Sequence, residues 1–283
     1  SADREAAKPV PGHFWAALGT GTAERSEGGV RLASDTAIAY SLHVQRAGAA
    51  TLYLAGDFAA GDSVVVDLDG RSTLVRAERG AGLLSVPVGL EAGARRLTLS
   101  AAEGTPAVHL VTVAPRPDPA PITVTDARSA GTGKRLLTGP VDDATITARV
   151  SFELESPLGH ADLVLRASQF SEGGEGNDPV LGADFLLGYT VQLRGDRVVL
   201  ARHDYDERIL GERRLPVEQS SEHVLVIRAV GGAIEVDLDG APAIRVEDPL
   251  PHPVGGIGTR TRNASLQLKL LQVEPEDPHH TKE

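Results

Sequence analysis

Apolar and polar residues alternate in short stretches along this chain, and the stretches end at glycine, aspartate or proline. In the first part the alternation predicts strands at 14–18, 29–33, 36–45, 49–55, 63–68, 72–77, 82–88, 95–100 and 108–113. In the second part it predicts strands at 145–153, 161–168, 188–193, 197–203, 223–229, 233–238, 243–246 and 264–273. No stretch has a convincing helical period; segments such as 2–8 are polar and terminal. Short, evenly spaced strands with turn residues between them are the mark of a sandwich or a barrel.

The pentapeptide Val-Asp-Leu-Asp-Gly occurs twice, at 66–70 and at 236–240, each time between two strand-like runs. Asp-Gly in that setting predicts a tight hairpin, because glycine accepts positive φ without steric cost. The flanking sequences do not match, so the repeat speaks for similar architecture and not for duplication. Between the copies lies Ala114-Pro115-Arg116-Pro117-Asp118-Pro119-Ala120-Pro121. Proline at every second position fixes φ and removes donors, which makes an extended, semi-rigid spacer. The expectation is therefore all-β: two tandem antiparallel β-sandwiches at 9–113 and 122–275, joined by a Pro-rich linker at 114–121 and followed by a polar tail at 276–283. A length of 283 residues suits two domains, each with its own core.

Composition narrows the choice of partner. The net charge of −11 argues against nucleic acid or an anionic membrane surface, since phosphate binding needs clustered cations. No apolar run approaches the roughly 18 residues of a membrane span. The absence of cysteine excludes disulfides, thiol nucleophiles and cysteine-ligated zinc. It fits an exported protein and a cytosolic one nearly equally. A chain that starts at Ser1, with no initiator and no leader, is expected to be a mature form or a piece of a longer protein.

Two resemblances follow from particular runs. Asp143-Ala144-Thr145-Ile146-Thr147-Ala148-Arg149-Val150, the strand at 161–168, Gly188-Tyr189-Thr190-Val191-Gln192-Leu193, the 236–240 hairpin and the glycine turn at 255–261 resemble the concanavalin A-like, laminin-G-type sandwiches attached to bacterial glycoside hydrolases. That group includes the 3-keto-disaccharide hydrolase-like domain. More loosely, Tyr40-Ser41-Leu42-His43-Val44, the run at 47–54, the Asp69-Gly70 hairpin and the run at 90–99 are similar to jelly-roll carbohydrate-binding modules related to families six and thirty-five. The order implied is a jelly roll, then a concanavalin A-like sandwich. The jelly-roll modules commonly open with acidic residues that hold a structural calcium. Here the opening is His13-Phe14-Trp15-Ala16-Ala17, so that site is not expected.

Candidate chemistry is chiefly that of sugar binding, in which aromatic faces stack on C–H groups and planar polar groups grip hydroxyls. Trp15 is the sole tryptophan, and it is either a sugar platform or a core residue closing one end of the sandwich. Tyr40 and Tyr53 lie within strands and are expected in the core. Arg166 and Gln192 sit out of phase with apolar neighbours, and Arg202, His203, Asp204 and Tyr205 end the next strand. Arg166, Gln192, Arg202 and His203 are expected to share one partly exposed face, with Tyr205 nearby. The alternative is a solvated face with surface ion pairs.

Metal and catalytic signals are weaker. Glu172, Glu175, Asn177, Asp178 and Asp184 cluster in a glycine-rich segment whose hard oxygen ligands would suit calcium, although the spacing is not that of an EF-hand. No other cofactor is expected. There is no Gly-x-Ser-x-Gly, His-Glu-x-x-His or Rossmann glycine pattern. Gly131-Thr132-Gly133-Lys134-Arg135 resembles a phosphate loop only superficially, because it lacks the Ser or Thr after the lysine. The best carboxylate cluster is Asp204, Asp206 and Glu207, flanked by Arg202, His203 and Arg208. Nearby cations would keep such carboxylates charged, which is wrong for a general acid. No acidic pair is expected in an apolar context that would raise a pKa.

The expected function is a non-catalytic, carbohydrate-binding accessory region of a larger secreted bacterial glycoside hydrolase. Its partners would be a polysaccharide or oligosaccharide and a linked or associated catalytic domain. The alternatives are a second domain that is itself a glycoside or keto-sugar hydrolase, and a pair of structural spacers.

Overall fold

The computed structural model describes residues 10–11, 17–18, 24–26, 29–32, 37–44, 47–77, 82–115, 120–167, 186–204, 206–249 and 251–276. These residues form strands and turns, with no helix among them. The chain divides into two compact units. One comprises Ser1–Arg116 with Pro249–Pro253, and the other Pro117–Asp248 with Val254–Glu283. Of the expected linker, residues 116–119 lie outside the described residues.

The first unit contains β1 (Val10–Pro11), β2 (Ala17–Leu18), β3 (Glu24–Ser26), β4 (Gly29–Arg31), β5 (Ala37–Val44), β6 (Gly48–Asp57), β7 (Ser63–Leu68), β8 (Arg71–Arg76), β9 (Leu83–Leu90), β10 (Gly93–Glu103) and β11 (Ala107–Pro115). They make two antiparallel sheets. One runs β3-β4-β11-β6-β9, with β1 also on β11, and the other β2-β5-β10-β7-β8. Alternate residues of both sheets meet in one core. Leu52, Leu54, Val86 and Val111 come from one sheet, and Ile38, Val64, Val66, Leu97 and Leu99 from the other. Tyr40 belongs to that core, and burial pushes its phenol well above the usual range. Tyr53 is buried as well.

The second unit contains β12 (Ile122–Leu136), β13 (Ala144–Leu154), β14 (His160–Ala167), β15 (Leu187–Arg194), β16 (Arg197–Asp204), β17 (Asp206–Arg214), β18 (His223–Val230), β19 (Ala233–Leu238), β20 (Ala241–Glu247) and β21 (Gly256–Pro275). One long ribbon, β12 paired with β21, serves two half-sheets. The first part of β21, through Arg262, pairs with β14 and continues through β15, β16 and β17. The later part, from Ala264 on, pairs with β13 and continues through β18, β19 and β20. At the changeover Asn263 takes φ 45° and β12 carries a bulge between Gly131 and Gly133. Bulges bend a strand, and here the bend lets one ribbon pass from one layer to the other. The layers close on a shared core that includes Phe152, Ile227 and Val236 from one side and Leu163, Tyr189, Val191 and Leu200 from the other. The protein is thus all-β, with two tandem antiparallel sandwiches.

Three parts of the second unit differ from expectation. β12 and β17 are strands that the alternation did not predict, and the glycine turn at 255–261 is largely the start of β21. The Gly-Thr-Gly-Lys-Arg run lies inside β12, which removes any phosphate-loop reading.

Candidate polar face of the second sandwich

β14 and β15 are buried on both sides: every residue of β14, and all of β15 but Arg194, is shielded from solvent. One side is apolar core, formed by Leu163, Leu165, Tyr189 and Val191. The other side is polar. Cross-strand partners point the same way, so the register aligns Asp162 with Gln192 and with Arg260, and His203 with Glu207. Alternation places His160 on the side of Asp162, and Thr190 on the side of Gln192 and His203.

These groups form a bonded network. Gln192 Nε2 donates to Thr190 Oγ1 at 3.2 Å and to Glu207 Oε2 at 3.1 Å. Its Oε1 accepts from Arg194 Nε at 3.1 Å and Nη2 at 2.6 Å. Thr190 Oγ1 lies 2.9 Å from His203 Nε2. Further along, His160 Nδ1 lies 2.6 Å from Asp162 Oδ1. Arg260 Nη1 approaches the other oxygen, Oδ2, at 3.9 Å. Asp162, Thr190 and Gln192 are wholly buried, and only Arg194 and Glu207 reach solvent appreciably. Burial pushes the Asp162 carboxyl up; the His160 bond and the Arg260 charge oppose the shift, while the Glu207 charge adds to it. Asp162, which also feels Glu207, therefore corrects the expectation that no acidic pair has a raised member.

The expected common face of Arg166, Gln192, Arg202 and His203 does not form. Gln192 and His203 are on the polar side, but both are buried and not partly exposed. Arg202 follows Leu200 at a spacing of two, so it points inward beside Tyr189. There its Nη1 donates to Asp248 Oδ2 at 2.6 Å, and the Tyr189 hydroxyl donates to the same oxygen at 2.8 Å. Arg166 sits at φ 45°, where β14 loses its register against β21. Its guanidinium turns away from the polar side and donates to Gly231 O at 2.7 Å, Ala229 O at 3.1 Å and Asp143 Oδ1 at 2.9 Å. Both arginines are tied into the structure. Breaking either pair would strand a buried charge, which typically costs about 3–5 kcal/mol.

Other expected residues fall elsewhere. Trp15, Tyr205, Glu172, Glu175, Asn177, Asp178 and Asp184 lie outside the described residues. Asp204 and Asp206 are register partners at the end of the β16–β17 pairing, and Glu207 joins the Gln192 network. Sequence reasoning missed His160, Asp162, Thr190 and Arg260. The signal was there for three of them: His160, Asp162 and Thr190 interrupt otherwise apolar strands at a period of two. Two open clefts among the described residues lie on other surfaces. One of about 400 Å³ borders Asp69 and Arg95, another of about 420 Å³ lies over Ser151, Ser220 and Ser265, and no buried polar side chain lines either.

No protein-family model matches this chain, and no curated protein does. Among solved structures it is similar to the carbohydrate-binding module CBM66 from Bacillus subtilis, at 16% identity over 53% of this chain and 91% of that one, with a TM-score of 0.41. It is also similar to galectin LEC-6 from Caenorhabditis elegans, at 14% identity over 53% and 94%, with a TM-score of 0.37. A β-fructofuranosidase from Aspergillus kawachii matches at 11% identity over 60% of this chain and 31% of that one, with a TM-score of 0.41. Likenesses this distant concern β-sandwich architecture alone and say nothing of a ligand.

Proposed function

We propose that the second sandwich binds a carbohydrate on its polar side, and that the chain is the non-catalytic accessory part of a larger exported polysaccharide-active enzyme. One observation carries this reading: Asp162, Thr190, Gln192, His203, Glu207 and Arg260 lie on one side of adjacent strands whose other side is apolar core. Burying a row of polar groups where a hydrophobic row would pack is costly unless they are bonded or used. Amide, hydroxyl, imidazole and carboxylate groups together supply both donors and acceptors, as sugar hydroxyls require. Arg194 and Glu207 form the exposed margin of this row and would make the first contacts with ligand. Holding a linked catalytic domain near a polymeric substrate raises its effective concentration.

The test is a glycan array followed by calorimetry on the 283-residue chain. Glu207→Ala, at a solvent-accessible position, should weaken binding roughly tenfold or more without unfolding. An array with no bound glycan sinks the reading. A second reading has one observation in its favour: Asp162 and Glu207 lie on the same polar side, and burial together with the Glu207 charge pushes the Asp162 carboxyl up, the direction a general acid of glycoside hydrolysis requires. Turnover of aryl glycosides that vanishes in Asp162→Asn would put this reading first.

A further inference from the structure

The deepest part of the polar side has an unfilled bonding requirement. Asp162 on β14 and Arg260 on β21 are cross-strand partners. Asp162 Oδ1 is taken by His160. Asp162 Oδ2 and Arg260 Nη1 are both buried, and neither has a hydrogen-bond partner. Their separation of 3.9 Å is too long for a direct N–H···O bond. Asp162 is 0% exposed and Arg260 7%, so bulk water does not satisfy either atom. Leaving such groups unpaired costs about 1–3 kcal/mol each, more when they are charged.

We infer that the gap between Asp162 Oδ2 and Arg260 Nη1 receives one hydroxyl of a neutral sugar, which donates to the carboxylate and accepts from the guanidinium. This rests on sugar binding by the same side of the sandwich, and it states which sugars bind. A carboxylate, sulfate or phosphate would satisfy Arg260 but press its charge against Asp162. An ammonium group would do the reverse. A hydroxyl is donor and acceptor at once and carries no charge. Beside the gap the same side of the sandwich turns apolar. Val164 follows Asp162 on the same side of β14, and Val164, Ala167, Leu186 and Leu136 make a small apolar cluster there. Gln192, opposite Asp162 on β15, already uses both amide hydrogens and its oxygen within the network, so the network's unfilled positions are those of Asp162 and Arg260 alone.

The experiment uses the whole chain and three sets of probes: neutral gluco- and manno-oligosaccharides, oligogalacturonate, and monodeoxy analogues of whichever neutral sugar binds. Neutral sugars should bind at least roughly tenfold more tightly than the uronate. In one monodeoxy analogue, loss of the hydroxyl and the Asp162→Asn substitution should be non-additive, each alone weakening binding about 10- to 100-fold and the pair no more than either alone. Circular dichroism and the melting temperature check that Asp162→Asn is folded, and Arg260→Gln provides the same cycle from the other side of the gap. Two results overturn the inference while leaving sugar binding intact. One is a preference for oligogalacturonate. The other is neutral binding with no coupling between any single hydroxyl and either Asp162 or Arg260, which would mean that the gap holds a buried water only. An array on which nothing binds removes sugar binding itself, and this inference with it.

Discussion

The two Val-Asp-Leu-Asp-Gly segments make the same turn, hold the same kind of neighbour and belong to differently threaded sheets. Both turns place Asp and Gly at positive φ: 51° and 85° at Asp69-Gly70, 52° and 78° at Asp239-Gly240. In the first unit Asp69 N donates to Arg96 O at 3.0 Å, and Arg96 N donates to Asp69 Oδ1 at 2.8 Å. In the second, Asp239 N donates to Val224 O at 2.8 Å, and Val224 N donates to Asp239 Oδ1 at 2.8 Å. The preceding residue completes each clamp, Arg95 Nη1 at 3.3 Å from Asp69 Oδ2 and His223 Nδ1 at 2.8 Å from Asp239 Oδ2. Yet β10, the strand clamped in the first unit, follows its hairpin in the chain and is separated from it by β9, which lies in the other sheet. β18, clamped in the second, runs directly into its hairpin. A five-residue motif thus specifies a turn and how it docks on the next strand. It does not specify topology, so its repetition is no sign of a duplicated domain.

The clamps differ in one chemical respect, and that makes the comparison testable. Arg95 is charged at every accessible pH and keeps a second acceptor, Glu91 O at 2.9 Å. His223 is mostly buried and has acceptors on both nitrogens, Asp239 Oδ2 and Glu218 O at 2.7 Å. Two acceptors favour the doubly protonated ring. The largest effect is expected from Asp239→Ala, which removes acceptors from Val224 N and His223 together and should destabilise the second unit by about 2 kcal/mol. Asp69→Ala should cost about half as much, because Arg95 retains other partners. Denaturant unfolding measures the totals, and amide exchange at Val224 and Arg96 locates them. Equal losses would erase the difference between the clamps.

Gly70→Ala and Gly240→Ala come next. A Cβ at either site meets nothing within 4 Å, so only the backbone opposes it. Each should cost about 1 kcal/mol, and the two costs should be alike. Unequal costs would show that the turns differ in strain.

The third effect is the pH dependence. Burial by itself would lower the pKa of His223, but the bonds and charges of Asp239 and Glu218 outweigh it and hold the value above 6.5. The other charged groups nearby are Glu222, engaged with Lys269, and Arg149 on β13. A raised folded-state value means that the protonated clamp stabilises fully below about pH 6.5, and that this contribution is lost as pH rises through the folded value. Denaturation midpoints of the second unit should therefore fall from pH 6 to pH 9, and His223→Gln should flatten this dependence. An NMR titration placing His223 below 6.5 would contradict the clamp. The smallest effect is expected from Arg95→Gln, at most about 0.5 kcal/mol, since its pair with Asp69 is partly exposed.

Strand alternation located the first unit's described strands from β4 to β11 within a few residues. Along β9 and β10 buried and exposed positions alternate, so the period of two is written in the residues themselves. The strands it missed lack that contrast. In β12 the alternation is only between half-buried and exposed positions, with Ile122, Val124 and Ala127 against the core at its start, and β17 reads Asp-Glu-Arg-Ile-Leu-Gly-Glu-Arg-Arg; both lie at sheet margins. The start of β21 fails in the opposite way. It is buried on both sides and rich in glycine, so it reads as a turn.

The same physics divides the candidate site. Alternation alone put Gln192 and His203 on one side of their strands. It also implied that Arg202, adjacent to His203, must face the other way. The meeting of Asp162 with Arg260, and the turning of Arg166 toward Gly231, were not readable in this manner. Asp162 and Arg260 are 98 positions apart in the chain and become neighbours only through the pairing of β14 with β21. Arg166 leaves its phase because it takes positive φ itself, where β14 shifts register against β21. Local sequence determined turns, strand periods and the apolar sides, since those depend on neighbours one to five residues away. Strand order, and with it which polar groups share a buried space, was decided by long-range pairing, because only closure of the sandwich brings those strands together.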